Sequence, residues 1–136
     1  METVEVKFPS FPEVTTNEFL NAESGTRWCV MCGDKDHWRT GFYSPEQNNL
    51  SQVDRLEKHS CPELFMLIEG ELTLVIATKD GVLQTINLEK HKPILIDTWH
   101  NGFCPNGAFS GKALVVERDN FVTEYRTVKD FTQLNS

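Results

Sequence analysis

A chain of 136 residues is long enough to bury one ordinary core without disulfide or metal staples, so a single domain is expected. Thirteen Lys and Arg against twenty Asp and Glu give a formal charge of −7; counterion release then has no basic surface to act through, which argues against nucleic acid as a partner. No apolar run approaches the roughly eighteen residues of a membrane span, and Met1 to Lys7 lacks the basic and apolar segments of a secretory signal, so a cytoplasmic protein without a membrane partner is expected.

In chain order, residues 1–26 read as an N-terminal arm packed on the main body. Phe8-Pro-Ser-Phe-Pro12 reads as extended and Thr15-Thr-Asn-Glu-Phe-Leu20 as one capped helical turn or short helix. From Arg27 onward the pattern changes to short runs of Val, Ile, Leu, Phe, Thr and Trp punctuated by Gly, Pro, Asn and Asp, the signature of consecutive strands. Strands are predicted over 27–32, 37–43, 50–57, 63–69, 71–78, 82–88, 93–97 and 112–118, with a last one near 121–128. The clearest unit is a hairpin from Glu71 to Leu88, whose Asp80-Gly81 pair supplies the positive φ angles of a type I′ turn. Gly70 gives a second sharp bend where a side chain is costly. So many short strands with little helix predict an all-β domain over 27–136, either an antiparallel sandwich or a closed barrel.

Four polar residues stand out against this background. Glu57 and His59 are two apart and share one face of a strand, and Glu63 keeps the same parity if the connection through Pro62 preserves it. His100 comes from another strand, and facing walls of a barrel bring such residues together. Imidazole nitrogens with carboxylates suit iron, manganese, nickel or zinc better than calcium or copper(I). Glu63 precedes Leu64-Phe-Met-Leu-Ile68, a central strand in which a lone carboxylate needs a partner or a metal. Glu57 lies in the charged run Asp54-Arg-Leu-Glu-Lys58, which reads equally as a solvated strand edge.

This spacing resembles the cupins, small β-barrels of the double-stranded β-helix or jelly-roll type. Their first motif is Gly, five residues, His-x-His, three or four residues, Glu, six residues, Gly. His59, Glu63 and Gly70 match its second half in order and spacing, while Glu57 stands at the first histidine and Ser51 at the first glycine. Of the second motif the chain keeps His100, with Glu89, Leu95, Asp97 and Cys104 at its Gly, Pro, Gly and Asn positions. The resemblance covers roughly residues 38–118 and implies that His59, Glu63 and His100 ligate one divalent transition metal, with Glu57 as a fourth ligand in place of an imidazole. Two carboxylates would neutralise a divalent ion and favour a harder metal than the usual cupin set.

In Asp36-His37-Trp38-Arg39-Thr-Gly-Phe42-Tyr43, alternation puts His37, Arg39 and Tyr43 on one face and Trp38 with Phe42 on the other. With the first face inward, Arg39 is a positive fork for a carboxylate or phosphate and Tyr43 a hydroxyl donor; with the second face inward, Arg39 is solvated. Trp99, beside His100, either lines the mouth of the site or packs on the outer face, and His91 reads as an exposed loop residue. Cys29-Val-Met-Cys32 lacks a second pair and reads as small hydrophobes in a strand, while Cys61 lies at a turn between two presumed ligands.

Three functions compete. The first is a metal-dependent enzyme of isomerase, lyase or dioxygenase type acting on a small polar molecule such as a sugar or keto acid, with Glu57 or His37 moving a proton. The second is a cupin that only binds or senses a small molecule, and the third is a degenerate cupin without metal. The resemblance also implies a homodimer, with an outward apolar face of Leu64, Met66 and Ile68 that needs cover.

Overall fold

The structure, a computed structural model, describes residues 25–133; the arm expected over 1–26, with its helical turn, lies almost entirely outside the described residues. Ten strands follow one another: β1 Trp28–Asp34, β2 Trp38–Tyr43, β3 Arg55–His59, β4 Glu63–Glu69, β5 Thr73–Ala77, β6 Leu83–Asn87, β7 Ile94–Ile96, β8 His100–Phe103, β9 Lys112–Arg118 and β10 Thr123–Thr127. They form two five-stranded antiparallel sheets, in the orders β1-β2-β9-β4-β7 and β10-β3-β8-β5-β6, a jelly-roll sandwich whose facing sides enclose the core.

Alternation explains which side chains are enclosed. On β4, Glu63, Phe65 and Leu67 are buried while Leu64, Met66 and Ile68 are half-buried on the other face; on β9, Ala113, Val115 and Glu117 point inward in the same way. Phe65, Leu67, Ala113 and Val115 meet Leu72, Leu74, Leu88, Ile96 and Cys104 in the main core. A second cluster lies on the outer face of the β10-to-β6 sheet. There Leu56, Val75 and Ala77 are covered by Val53, Leu83, Val128 and Phe131. The C-terminal segment is tied down over that face by backbone hydrogen bonds from Leu83 N–H to the Thr132 carbonyl and from Thr132 N–H to the Gly81 carbonyl. No helix among the described residues is long and apolar enough to cross a membrane.

Most predicted strands stand where expected, with four differences. The strand expected over 27–32 runs on to Asp34, through an irregularity between Val30 and Cys32. The strand expected over 50–57 is a 3₁₀ turn, Leu50–Gln52, followed by β3, which extends to His59. The Asp80-Gly81 loop is a three-residue connection rather than a type I′ turn: Thr78 N–H bonds the Val82 carbonyl, Gly81 N–H bonds the Thr78 carbonyl, and only Gly81, at φ 76°, has a positive φ. β8 was not predicted at all, because Asn101-Gly102 reads as a turn. Gly70 makes the expected bend at φ 67°, and a Cβ there would lie 2.1 Å from the Ser110 carbonyl oxygen.

Candidate metal centre

Strand register builds the site at one end of the interior. On one wall Tyr125, Glu57 and His100 lie side by side across β10, β3 and β8, with the Thr123 and His59 pair in the next inward row. On the facing wall Arg39 pairs with Glu117 across β2 and β9, and Glu63 is the inward residue of β4 one step beyond Phe65, itself opposite Val115. Three short strand segments therefore bring Glu57, His59, Glu63 and His100 together, with one donor atom from each lying within 4.8 Å of the others. The parity inferred for Glu57, His59 and Glu63 holds, and all four side chains line one cavity of about 290 Å³.

The two imidazoles are held by their outer nitrogens. His100 Nδ1 donates to the Thr98 carbonyl at 2.8 Å, which leaves its Nε2 with a lone pair directed inward. His59 Nδ1 meets the Thr123 hydroxyl at 2.8 Å. His59 Nε2 is paired with Glu63 and lies 3.4 Å from Glu57 Oε1. His100 Nε2 is 3.5 Å from Glu63 Oε2 and 3.7 Å from Glu57 Oε1, too far for a good hydrogen bond, and is buried without a hydrogen-bond partner. A buried nitrogen left in this state costs free energy unless something fills the gap. A cation fits: the donor set is two imidazole nitrogens and two carboxylates, converging and pre-oriented from behind.

Electrostatics point the same way. Burial disfavours a charged His59, but the Glu57 and Glu63 carboxylates outweigh it and raise the imidazole to about 9. Burial likewise opposes a charged His100, and Glu63 raises it nonetheless. Burial resists ionisation of Glu63, yet His100 and His59 hold it well below the ordinary carboxylate range. The two carboxylates thus favour positive charge at this site. A bound divalent ion would supply that charge and act as a Lewis acid on a ligand oxygen. Glu57 is the most accessible of the four, its side chain 37% exposed at the cavity edge.

Around this cluster lie residues that the sequence reading missed. Glu117 is buried, accepts a hydrogen bond from Arg39 Nε at 2.8 Å, and is pushed upward by burial and by neighbouring Glu63. Its signal was the alternation Ala113, Val115, Glu117 along β9. Phe121 packs against His59 at 4.5 Å between ring centres, the rings tilted by 57°, and Arg27, Trp28, Phe65, Asn101 and Tyr125 complete much of the lining.

Of the other predicted site residues, Arg39 and Tyr43 line the cavity, the inward alternative of the β2 pattern, while Trp38 is exposed outside. Tyr43 meets Asn101 Oδ1 at 3.3 Å, and burial raises its hydroxyl well above the ordinary range. His37 does not join them: it sits exposed at the β1–β2 turn, one residue before β2 begins. Trp99, in the bend just before β8, packs on Phe131 at 5.8 Å in the outer cluster, the outer-face alternative, and takes no part in the lining. Cys61 lies outside the donor cluster, and His91 is exposed. Cys29 and Cys32 are free, half-buried thiols in β1.

No protein-family model matches the sequence, and no curated protein matches it. Solved structures do. The hydroxypropylphosphonic acid epoxidase from S. wedmorenis in complex with fosfomycin is 14% identical with a TM-score of 0.56, over 84% of this chain and 59% of that one. FeII HppE is 15% identical with a TM-score of 0.53, over 69% and 54%. A cupin 2 domain-containing protein from Halorhodospira halophila is 17% identical with a TM-score of 0.53, over 78% and 70%. This chain thus spans little more than half the length of the first two. With its two antiparallel sheets and its His and Glu cluster between them, the chain has the fold of the cupin superfamily.

Proposed function

We propose that Glu57, His59, Glu63 and His100 hold one divalent transition metal ion, and that the chain catalyses a metal-dependent reaction on a small polar molecule, of isomerase, lyase or dioxygenase type. The observation that carries the reading is the buried, unpartnered Nε2 of His100 facing three further donors. The two carboxylates offset the charge of a divalent ion, so loading leaves no net charge on the ligand set. Iron, manganese, zinc and nickel all suit nitrogen and oxygen donors, and the iron(II) form of HppE, similar in fold, supports iron as the first to try. Within the reaction His59, Glu63 and His100 keep the ion in place, while Glu57, partly exposed, completes the set or shuttles a proton.

The test is metal content by plasma mass spectrometry on untagged protein purified without chelator, beside Glu63→Gln and His59→Ala. About one equivalent of a single transition metal in the wild type, lost in both variants, is the expected result. Absence of metal even after reconstitution would contradict it. With metal in place, turnover of candidate sugars, keto acids or diols supports an enzyme, and saturable binding without turnover contradicts that half of the proposal.

The proposal includes a homodimer. The outer face of β4 presents half-buried Leu64, Met66 and Ile68, and neighbouring Leu95 on β7 is 66% exposed. A monomeric sedimentation coefficient at micromolar concentration would contradict it.

A further inference from the structure

We infer that the molecule bound in this cavity carries an oxyanion, a carboxylate or a phosphate, which seats on the two terminal nitrogens of Arg39 beside the metal centre. The inference rests on the proposed metal only for the ligand's second contact; the anion seat itself is made of this chain's own residues.

Arg39 is the inward residue of β2 at the row it shares with Glu117. Its Nε is spent on Glu117 Oε1 at 2.8 Å. Its guanidinium carbon lies within cation–π range of two rings, 5.1 Å from the centre of Phe121 and 5.7 Å from that of Trp28. Phe121 rests in turn on His59. The arginine is therefore held at one nitrogen and against two aromatic rings, next to a candidate ligand, and its end is what remains to act.

The sequence makes room for this arrangement. Arg39, Gly41 and Tyr43 are the inward residues of β2, and a Cβ at Gly41 would lie 2.6 Å from the Trp28 ring. The glycine leaves the space that the tryptophan occupies against Arg39.

Arg27, the other cavity-lining arginine, shows the contrast. One of its terminal nitrogens binds Glu46 and Gln47 and the other binds Asn101, so its fork is occupied by the protein. Among the described residues the terminal nitrogens of Arg39 have no hydrogen-bond partner, while the side chain is 24% exposed toward the cavity. Two parallel N–H groups in a planar, permanently charged fork match the spacing of two oxygens on a carboxylate or phosphate, which a lysine would not reproduce. A cavity of about 290 Å³ lies at the small end of ligand sites, so the anion belongs to a small molecule.

The experiment measures binding rather than turnover. Thermal-shift titrations of the full chain, metal-loaded and metal-free, use lactate, its neutral amide lactamide, and inorganic phosphate, with metal content determined on the same samples. Saturable stabilisation by lactate or by phosphate is expected, with lactamide weaker by roughly tenfold or more and the preferred anion weakened to the same degree in Arg39→Gln. The stronger of the two anions identifies the source. Because Arg39→Gln strands Glu117 in the interior, Arg39→Lys and the double variant Arg39→Gln with Glu117→Gln accompany it; both should fold and both should lose the preference for the anion over the amide. Equal binding of lactate and lactamide, unchanged anion binding in these variants, or no saturable anion binding overturns the inference while metal stays bound. If no metal binds, the metal proposal fails separately, and weakened anion binding in Arg39→Lys of the metal-free protein still supports the seat.

Discussion

β4 and β9 run side by side through the interior, and their two ends differ. At one end Leu67 and Ala113 lie in a closed apolar core; at the other Glu63 and Glu117 face a cavity with His59, His100 and Arg39. From Leu64 to Leu67 the register with β9 is regular and the alternation unbroken, so a change of residue type at inward positions is enough to convert packing into chemistry. The apolar end requires only volume, and the polar end requires a partner for every buried charge. His59 has Glu63 and Thr123, Glu117 has Arg39, and His100 has a partner for one nitrogen alone. The unfilled valence of the polar end is where function is expected.

The contrast breaks most sharply at the apolar end. Leu74 is fully buried in the main core, so Leu74→Ala should cost about 2–5 kcal/mol in denaturant unfolding, with metal stoichiometry of the folded fraction unchanged. Loss of metal at intact stability would show that the two ends are not separable. Gly41→Ala lies on the border between them and should cost about 1–3 kcal/mol, as Trp28 is displaced from the space beside Arg39; a change in tryptophan emission should accompany it. An unchanged spectrum would mean that Trp28 does not depend on that glycine.

Proton linkage gives a smaller effect, since burial cancels part of the attraction between His59 and its carboxylates. His59 rises from an ordinary 6.5 to about 9 in the folded protein without metal. A group raised on folding contributes stability that is fully present below 6.5 and lost as pH climbs through about 9. The melting temperature of metal-free protein should therefore fall over that window. A metal ligand must be deprotonated, so metal affinity should rise over the same window, with protons released on binding near pH 7. Calorimetric titrations in buffers of different ionisation enthalpy would count them, and no proton release would contradict the pairing.

The sequence was most readable where alternation and spacing are local. β4 announces its inward face through Glu63, Phe65 and Leu67, and Glu57, His59, Glu63 and Gly70 lie within fourteen residues. β8 was hidden because Gly102 looks like a turn residue, whereas it is needed for a tertiary reason: a Cβ there would lie 2.9 Å from the Tyr43 hydroxyl. The same blindness to partners across the barrel left the direction of Arg39 open and passed over Glu117, which gains its meaning only from the strand beside it. Trp99 beside His100 could in one dimension line the mouth or pack outside, and its contact with Phe131 from the C-terminal segment, which the sequence does not announce, holds it on the outer face.

The central claim is that four donors at the polar end act as one site. The most direct measurement is a titration of metal-free protein with cobalt(II), read by visible absorption, for the wild type, His100→Ala, Glu63→Gln and the control His37→Ala. The account predicts one saturating equivalent in the wild type and in His37→Ala, an absorption pattern free of sulfur-to-metal charge transfer, and no stoichiometric binding in the other two. Saturation of His100→Ala with the wild-type stoichiometry and spectrum would contradict it, because the nitrogen left unpartnered in the interior would then have no part in holding the ion.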